Sequence, residues 1–317
     1  MATAATTPEL VAVGPATGRV LRRPARSLWS DAWRQFRRHR LAVTGMCVFF
    51  LLLLSTLVGP LIYRTSADAL DIAASLVGPT AQHPFGTDDL GHDLLARTLL
   101  GGRVSMAVGV VAVLIALTLG TVVGSIAGFF GGTIDNVLMR VTDMFIGLPQ
   151  LPVLLLVIYL FRDALRQRFG PEFGIFLLIV GVIGALNWMP LARLVRASFL
   201  SIKQKEFVEA ARCLGASNRR LILAHVLPNT LSAVIVAATV TVGQAIITES
   251  TLSFLGLGFP PDVPTWGRLL YDSQNYLDNG LGLHWAIFPG LMIFLTVLSI
   301  NYIGDGLRDA LDPRKTQ

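Results

Sequence analysis

The 317-residue chain is 53% hydrophobic and only 15% charged, with a mean hydropathy of +0.63 and a formal net charge of +6. Soluble domains carry about a quarter charged residues, so this balance excludes an ordinary globular domain and implies an all-α integral membrane protein. Membrane orientation accounts for the basic excess, and no nucleic-acid partner is expected.

Residues 1–40 hold eight arginines against Glu9 and Asp31 and contain no apolar run. They read as a basic tail ending in an amphipathic segment, Trp29 to Arg40, suited to an anionic lipid surface. The apolar run that follows has no small-residue cleavage site after it, which argues against a signal peptide. The Arg-rich, acid-poor start leaves an organellar transit peptide as an alternative. Six stretches approach the roughly 20 apolar residues that cross a bilayer: 41–63, 104–130, 144–161, 173–192, 229–248 and 283–304. None contains Asp, Glu, Lys or Arg. The third is expected to begin earlier, near Asp135, and the fifth to run past Glu249. With the amino terminus inside, 19 of the 26 Lys and Arg residues fall in cytoplasmic segments, so both termini and the polar loop 201–228 are expected in the cytoplasm. The organisation is then a tail (1–40), a first span (41–63), an external loop (64–103), a five-span core (104–307) containing loop 201–228, and a short cytoplasmic tail (308–317).

The external loop contains Pro79, Pro84, Gly86, Gly91 and aspartates at 68, 71, 88, 89 and 93. Thr87 is predicted to cap a short helix from Asp88 to Leu100, the acids that follow it suiting the helix dipole. Asp88, Asp89 and Asp93 are hard oxygen donors, so calcium is the sharper alternative, but they lack the spacing of a dedicated loop. Arg140 and Asp143, spaced i, i+3, are predicted to form a local ion pair. Asn187 and Gln244 reach mid-depth, either lining a path or bonding neighbouring helices. Glu249, 20 residues beyond Asn229, stands about 30 Å up its helix near the outer surface, where it orders the external mouth or touches solute.

Loop 206–228 reads as two short helices forming an elbow parallel to the membrane. Phe207, Ala211 and Leu214 make one apolar face, Gly215 suits a left-handed stop, and Ser217 suits the next cap. Leu221, Ile222 and His225 continue a second stripe until Pro228, which is expected to end it. Cys47 lies in a span and Cys213 in this loop, so neither a disulfide nor a metal site is expected. The lysines, Lys203, Lys205 and Lys315, follow no glycine, so the phosphate-binding Gly-x-x-x-x-Gly-Lys signature is missing. Five scattered histidines, at 39, 83, 92, 225 and 284, complete no catalytic motif. No catalytic residue, cofactor or metal site is expected in this chain.

Glu209-Ala210-Ala211 followed by Gly215 and Leu227-Pro228 resembles the EAA loop of ABC importer permeases. The 83–93 run, Gly131-Gly132 with Asp135, Arg140 to Asp143, Leu252 to Gly258, Trp266-Gly267-Arg268 and Gly304 to Pro313 are similar to the dipeptide, oligopeptide and nickel branch, more closely its shorter C-type subunit. The likeness covers roughly residues 30–314. His92 stands where the family usually has Arg, and His225 where the broad importer pattern has Ile.

The resemblance implies a six-helix type I importer permease fold in the bacterial inner membrane. It further implies a homologous permease partner, two ATPase subunits carrying ATP and Mg, and a periplasmic or lipid-anchored substrate-binding protein. Glu209, Ala210, Ala211, Gly215, Leu227 and Pro228 would form the coupling loop, with Asn187, Gln244 and Glu249 as path or gate. Thr87, Asp88, Asp89, His92 and Asp93 would contact the binding protein. Peptide is the expected cargo, with a nickel complex or a glutathione-like peptide as alternatives. An ion-driven secondary transporter, the runner-up, calls for repeated halves and paired intramembrane carboxylates, and neither is evident.

Overall fold

The computed structural model describes residues 28–311 apart from 279 and 281, and their regular structure is helical. Helix α1 (Leu28–Arg38) meets α2 (Arg40–Ile62) at His39, whose ring accepts the Ala42 amide at 3.2 Å as a cap. The amphipathic segment expected from residue 29 is therefore a helix. Phe36 seats it against Ala42 and Ala310, joining the amino-terminal segment to the end of the last span. Residues 1–27 and 312–317 of the two expected tails lie outside the described residues.

After α2 the chain runs outside helical structure to Asp93, except for one tight turn at Ile72–Ala74. Here one expectation fails. Thr87 does not cap a helix; its hydroxyl is taken by Val77 N at 2.9 Å and by the Ala74 carbonyl, which ties the loop to itself. The cap is Asp93, which accepts the Ala96 amide at 2.8 Å and starts α3 (Leu94–Phe130). The 37 residues of α3 rise about 55 Å, so the loop boundary at 103 falls inside one continuous helix.

The third span is not a straight helix. α4 (Gly132–Ile146) and α5 (Gln150–Phe169) meet at an 85° bend. Pro149 has no amide to continue α4 and disfavours helical geometry at Leu148 before it, so the predicted 144–161 segment breaks near its start. Among the described residues five helices are long and apolar enough to cross a membrane, six if the bent pair counts as one span.

Gly170 and Pro171 turn the chain into the 32-residue α6 (Pro171–Ile202), which runs ten residues past the end of the predicted 173–192 span. Then come α7 (Glu206–Cys213), the single turn α8 (Asn218–Arg220), a wide π turn (Leu221–Val226) and α9 (Leu227–Phe254). Hydropathy gave no sign of α10 (Trp266–Leu277), which precedes α11 (Leu283–Leu311). Its Trp266 is fully buried and donates from Nε1 to Thr98 O at 3.0 Å.

The most extensive packing is α3 on α6. Lipid is as apolar as leucine, so membrane helices gain little from mere hydrophobicity and associate through close packing of small residues. Gly120, Gly124 and Gly128 recur every four residues along α3 and let the α6 backbone approach. A Cβ on Gly124 would stand 2.4 Å from Ala192 O, and one on Gly128 2.8 Å from Arg196 O. Around this seam Val108, Ala112, Leu154, Ile179, Ile183 and Leu252 bring α3, α5, α6 and α9 into one core.

Gly124→Val should force the two helices apart at a cost of about 1–3 kcal/mol, lowering the melting temperature in detergent by roughly 2–8 °C. Gly181→Ala, on the same α6 but with nothing within 4 Å of the added carbon, should melt with the wild type. Equal melting of the two variants would show that the seam is not the stabilising contact.

Candidate functional site

The loop after α6 is built around Val208. This residue of α7 is fully buried against Val195 and Phe199 of α6 and Leu221 and Val226 of the π turn. Anchoring Val208 turns the neighbouring positions outward: Phe207 is 46% exposed and Leu214 89%. The apolar stripe expected in this helix thus exists with no covering element among the described residues at its two large members. Ala210 is exposed and Ala211 half-buried, leaving a shallow surface between them. Glu209 is exposed and pairs with Arg212 at 3.1 Å, a surface contact of little energetic weight.

Gly215 has φ +82°, as a left-handed stop requires, and its amide bonds to Arg212 O at 2.9 Å. An added Cβ would meet nothing within 4 Å, so only the backbone demands glycine there. Ser217 occupies the cap position, but its hydroxyl makes no cap bond.

The second arm does not end at Pro228, contrary to expectation. α8, the π turn and α9 form one helical run, Asn218–Phe254, with Pro228 in the first turn of α9. A proline ring clashes with the carbonyl four residues back and lacks an amide to bond it. The wider π turn immediately before it, where Leu227 N reaches Ile222 O, absorbs both defects. The arm is consequently continuous with the fifth span.

Asn187 and Gln244, distant in sequence, meet at a cavity of about 450 Å³ beside the α4–α5 break. Gln150, Thr248, Pro190 and Phe145 share its lining, and no charged side chain does. Asn187 also donates to Ile183 O at 2.8 Å, so its amide is held by its own helix. Glu249 lines no part of this cavity. It is fully buried and accepts hydroxyl donations from Ser105 at 3.1 Å and Ser253 at 2.8 Å, joining α3 to α9 below the start of α10.

The predicted Arg140–Asp143 pair is replaced by long-range pairs. Arg193 of α6 takes Asp143, and Arg196 holds Asp135 through Nε at 2.5 Å and Nη2 at 2.6 Å. Of the fifteen residues of α4 only Asp135 and Thr142 are buried, so these two arginines are its main polar fastening to α6. The 61-residue separation of Asp135 from Arg196 offers no local spacing that sequence reasoning could have used.

The outer residues do converge with α10. Buried Asp88 accepts from Arg97 Nη1 at 2.8 Å and from the His92 amide at 2.8 Å, while His92 Nδ1 lies 2.7 Å from its other oxygen. Arg97 in turn donates to Pro261 O at 2.9 Å. Besides capping α3, Asp93 receives the Tyr63 hydroxyl at 2.7 Å and lies 2.8 Å from His83 Nδ1. Asp89 accepts from Tyr276 at 3.0 Å, a bond that raises the tyrosine pKa. Burial pushes Asp272 upward against the pull of Arg268, its ion-pair partner at 2.7 Å. The aspartates considered for calcium are thus committed to separate partners, and no group able to hold a metal occurs among the described residues.

Replacing Asp135 by Ala should cost about 1–3 kcal/mol by stranding a charge-assisted, two-pronged bond. A cysteine placed at Ile146 in a background lacking Cys47 and Cys213 should then react faster with a soluble maleimide. Exchanging the charges, with Arg at 135 and Asp at 196, should restore protection; unchanged labelling in all variants would show that α4 is held by other means.

Residues 120–317 match the family described as the binding-protein-dependent transport system inner membrane component, and residues 27–84 match the N-terminal TM domain of oligopeptide transport permease C. The chain is 38% identical to a dipeptide transport system permease protein of Bacillus subtilis, over 93% of this chain and 88% of that one. It is 40% identical to an oligopeptide transport system permease protein of Haemophilus influenzae, over 91% and 89%. A glutathione transport system permease protein of Escherichia coli is 39% identical, over 91% of each chain.

Proposed function

The chain belongs to the binding-protein-dependent transport system inner membrane component family, as a multi-pass permease subunit of an ABC importer without catalytic function of its own, and from this premise we propose that it carries peptides and is driven through loop 201–228. The observation that carries the coupling reading is the bare face of α7. Phe207 and Leu214 point away from a helix anchored by Val208, and the next arm runs unbroken into the fifth span. A partner that moves α7 therefore acts on α9 through the Gly215 turn and the Val208 contacts with Leu221 and Val226, with no further break beyond Asn218.

In this reading the partners are two ATPase subunits that hold ATP and Mg, a homologous permease, membrane lipid and a periplasmic or lipid-anchored substrate-binding protein. The exposed apolar residues of α4, among them Val137, Val141 and Met144, suit lipid or the second permease. Glu209 supplies a charge at the ATPase socket, Ala210 and Ala211 let it come close, and Gly215, Leu227 and Pro228 set the angle of the second arm. The chain sits in the bacterial inner membrane with both termini in the cytoplasm, as the distribution of Lys and Arg favours. Of the loop residues expected at the binding protein, Thr87, Asp88, His92 and Asp93 are buried and Asp89 is half-buried, so they hold the shape of the outer loop that receives the binding protein rather than touching it themselves.

Asn187 and Gln244 belong to the solute path, and Glu249 acts as a strut at its outer end. Peptide cargo is favoured by the dipeptide, oligopeptide and glutathione systems in which the relatives serve. It is also favoured by the cavity chemistry, since amides can bond peptide groups of any sequence while excluding no side chain by charge. An ion-driven carrier would call for ionisable residues at the path; the cavity lining has none.

Gly215→Val should place a β-branched residue in a left-handed backbone at a cost of about 1–2 kcal/mol while causing no collision. The chain should insert and accumulate, but uptake by the assembled complex should drop roughly tenfold or more, the equivalent of about 1.4 kcal/mol or greater in coupling. Leu214→Asp should release the ATPase subunits on purification, and Glu209→Ala should weaken uptake less than either. Full uptake with full ATPase retention in all three would overturn the coupling role, whereas loss of Gly215→Val from the membrane would make the glycine a folding residue. Uptake by the chain alone under a proton or sodium gradient would replace the importer reading with a secondary carrier.

A further inference from the structure

Among the described residues, three cavities follow one another along α6. An outer one of about 710 Å³, between the outer loop and α10, is lined by Glu172 near the start of the helix. The central one takes Asn187 and Pro190. A third, about 390 Å³ and within the size range of small-molecule sites, takes Leu194.

Helix register ties the third cavity to the central one. Pro190 and Leu194 are one turn apart on α6, and Gln244 and Val240 are one turn apart on α9; in each pair the first residue lines the central cavity and the second the third. Two helices of opposite direction thus step from one cavity to the next by the same turn. Both steps lead toward loop 201–228, since α6 runs on to Phe199, which anchors that loop, and α9 starts at Leu227 beside it. The third cavity is therefore the inward continuation of the central one along the α6–α9 groove. It extends to Ser232, twelve residues or about 18 Å inward of Gln244.

The chemistry changes along this line. The central cavity offers side-chain amides and a hydroxyl but no charge. Apart from Ser232 and Arg308 of α11, every residue lining the inner cavity is Ala, Val or Leu. Arg308 is exposed, and no hydrogen bond or ion pair engages its guanidinium among the described residues. Arg193, Arg196 and Lys203, the cations at the inner end of α6, are by contrast committed to Asp143, Asp135 and the Gly128 carbonyl.

We propose that the inner cavity is the exit half of the solute path and that Arg308 receives the solute's carboxylate there. This rests on the importer reading and adds to it an anion-binding station. A carboxylate leaving the central cavity gives up water among aliphatic walls, a loss that only a counter-charge offsets, and a planar guanidinium can meet both of its oxygens at once. A phospholipid also offers an anion and apolar chains. Only a solute, however, has use for a cavity in line with the central one.

The test uses the full-length chain in nanodiscs of zwitterionic lipid, with Cys47 and Cys213 replaced by serine and a trifluoroethyl tag on the cysteine of Leu194→Cys. Titration with alanyl-alanine should shift the ¹⁹F signal saturably. Alanyl-alaninamide, the same dipeptide without its carboxylate, should bind at least about tenfold more weakly. Arg308→Gln should weaken alanyl-alanine by a similar factor and leave the amide where it was, which also shows that the variant is folded. Arg308→Lys, which keeps the charge, should lose less. The station is refuted if alanyl-alanine gives no saturable shift, if the amide binds as well, or if Arg308→Gln binds the dipeptide unchanged. It is refuted in favour of a lipid site if added phosphatidylglycerol shifts the signal and alanyl-alanine cannot reverse that shift. Because the titration needs no ATPase, its failure is distinct from failure of the importer reading, which uptake by the assembled complex decides.

Discussion

Much of the candidate site is arranged along α6, and α6 is where it is because α3 lacks side chains at three successive turns. In lipid, backbone proximity rather than hydrophobic expulsion holds helices together, and Gly120, Gly124 and Gly128 supply it. From the helix so placed, Glu172 reaches the outer cavity, Asn187 the central one, Arg193 and Arg196 the bent helix α4, and Val195 and Phe199 the anchor of α7. Four stations along a single stiff element share one frame of reference. A displacement of α6 relative to α3 would be felt at all of them together.

The second stiff element is the run from Asn218 to Phe254. Its π turn looks like a flaw in a regular helix, yet it is what allows a proline to sit inside a mechanical link without breaking it. Glu249 near the far end is tied by the Ser105 hydroxyl to α3, so the link is fastened at both ends: by Leu221 and Val226 below, by the carboxylate above. Buried carboxylates without a cation are costly in a bilayer protein. Placing this one among hydroxyl donors makes it a bonded joint rather than a free charge.

Much of the architecture was legible in the residues. Long apolar runs place the first, second, fourth, fifth and sixth spans, because hydropathy measures the solvent that surrounds most of each helix. Gly215 was legible because a left-handed stop admits few other residues. The sequence misled where two local rules competed: Thr87 and Asp93 both make good caps, and only the tertiary bonds from Val77 and Ala74 remove the threonine from contention. It misled again at 144–161, where Gly147 and Pro149 count as nearly neutral in hydropathy but decide the backbone. The Asp135–Arg196 and Asp143–Arg193 bonds, Val208 as an anchor and the meeting of Asn187 with Gln244 depend on chain crossings that no spacing encodes.

The break between α4 and α5 has a consequence for water. Helix ends leave amides and carbonyls without helical partners, and hydrocarbon offers them none. Prolines at 149 and 152 reduce the number of bare amides at the start of α5, but Gln150 and Leu151 still carry theirs, and Pro149 gives no side-chain cap. Such an opening in the backbone persists only where it is hydrated, and the uncharged cavity lies directly against it. Collapsing that cavity would strand the backbone groups as well as expel the water, so the empty passage is biased toward staying wet. In the path proposed above, a peptide entering this cavity would bring its own amides and carbonyls, and could replace the water group for group rather than having to displace it into lipid.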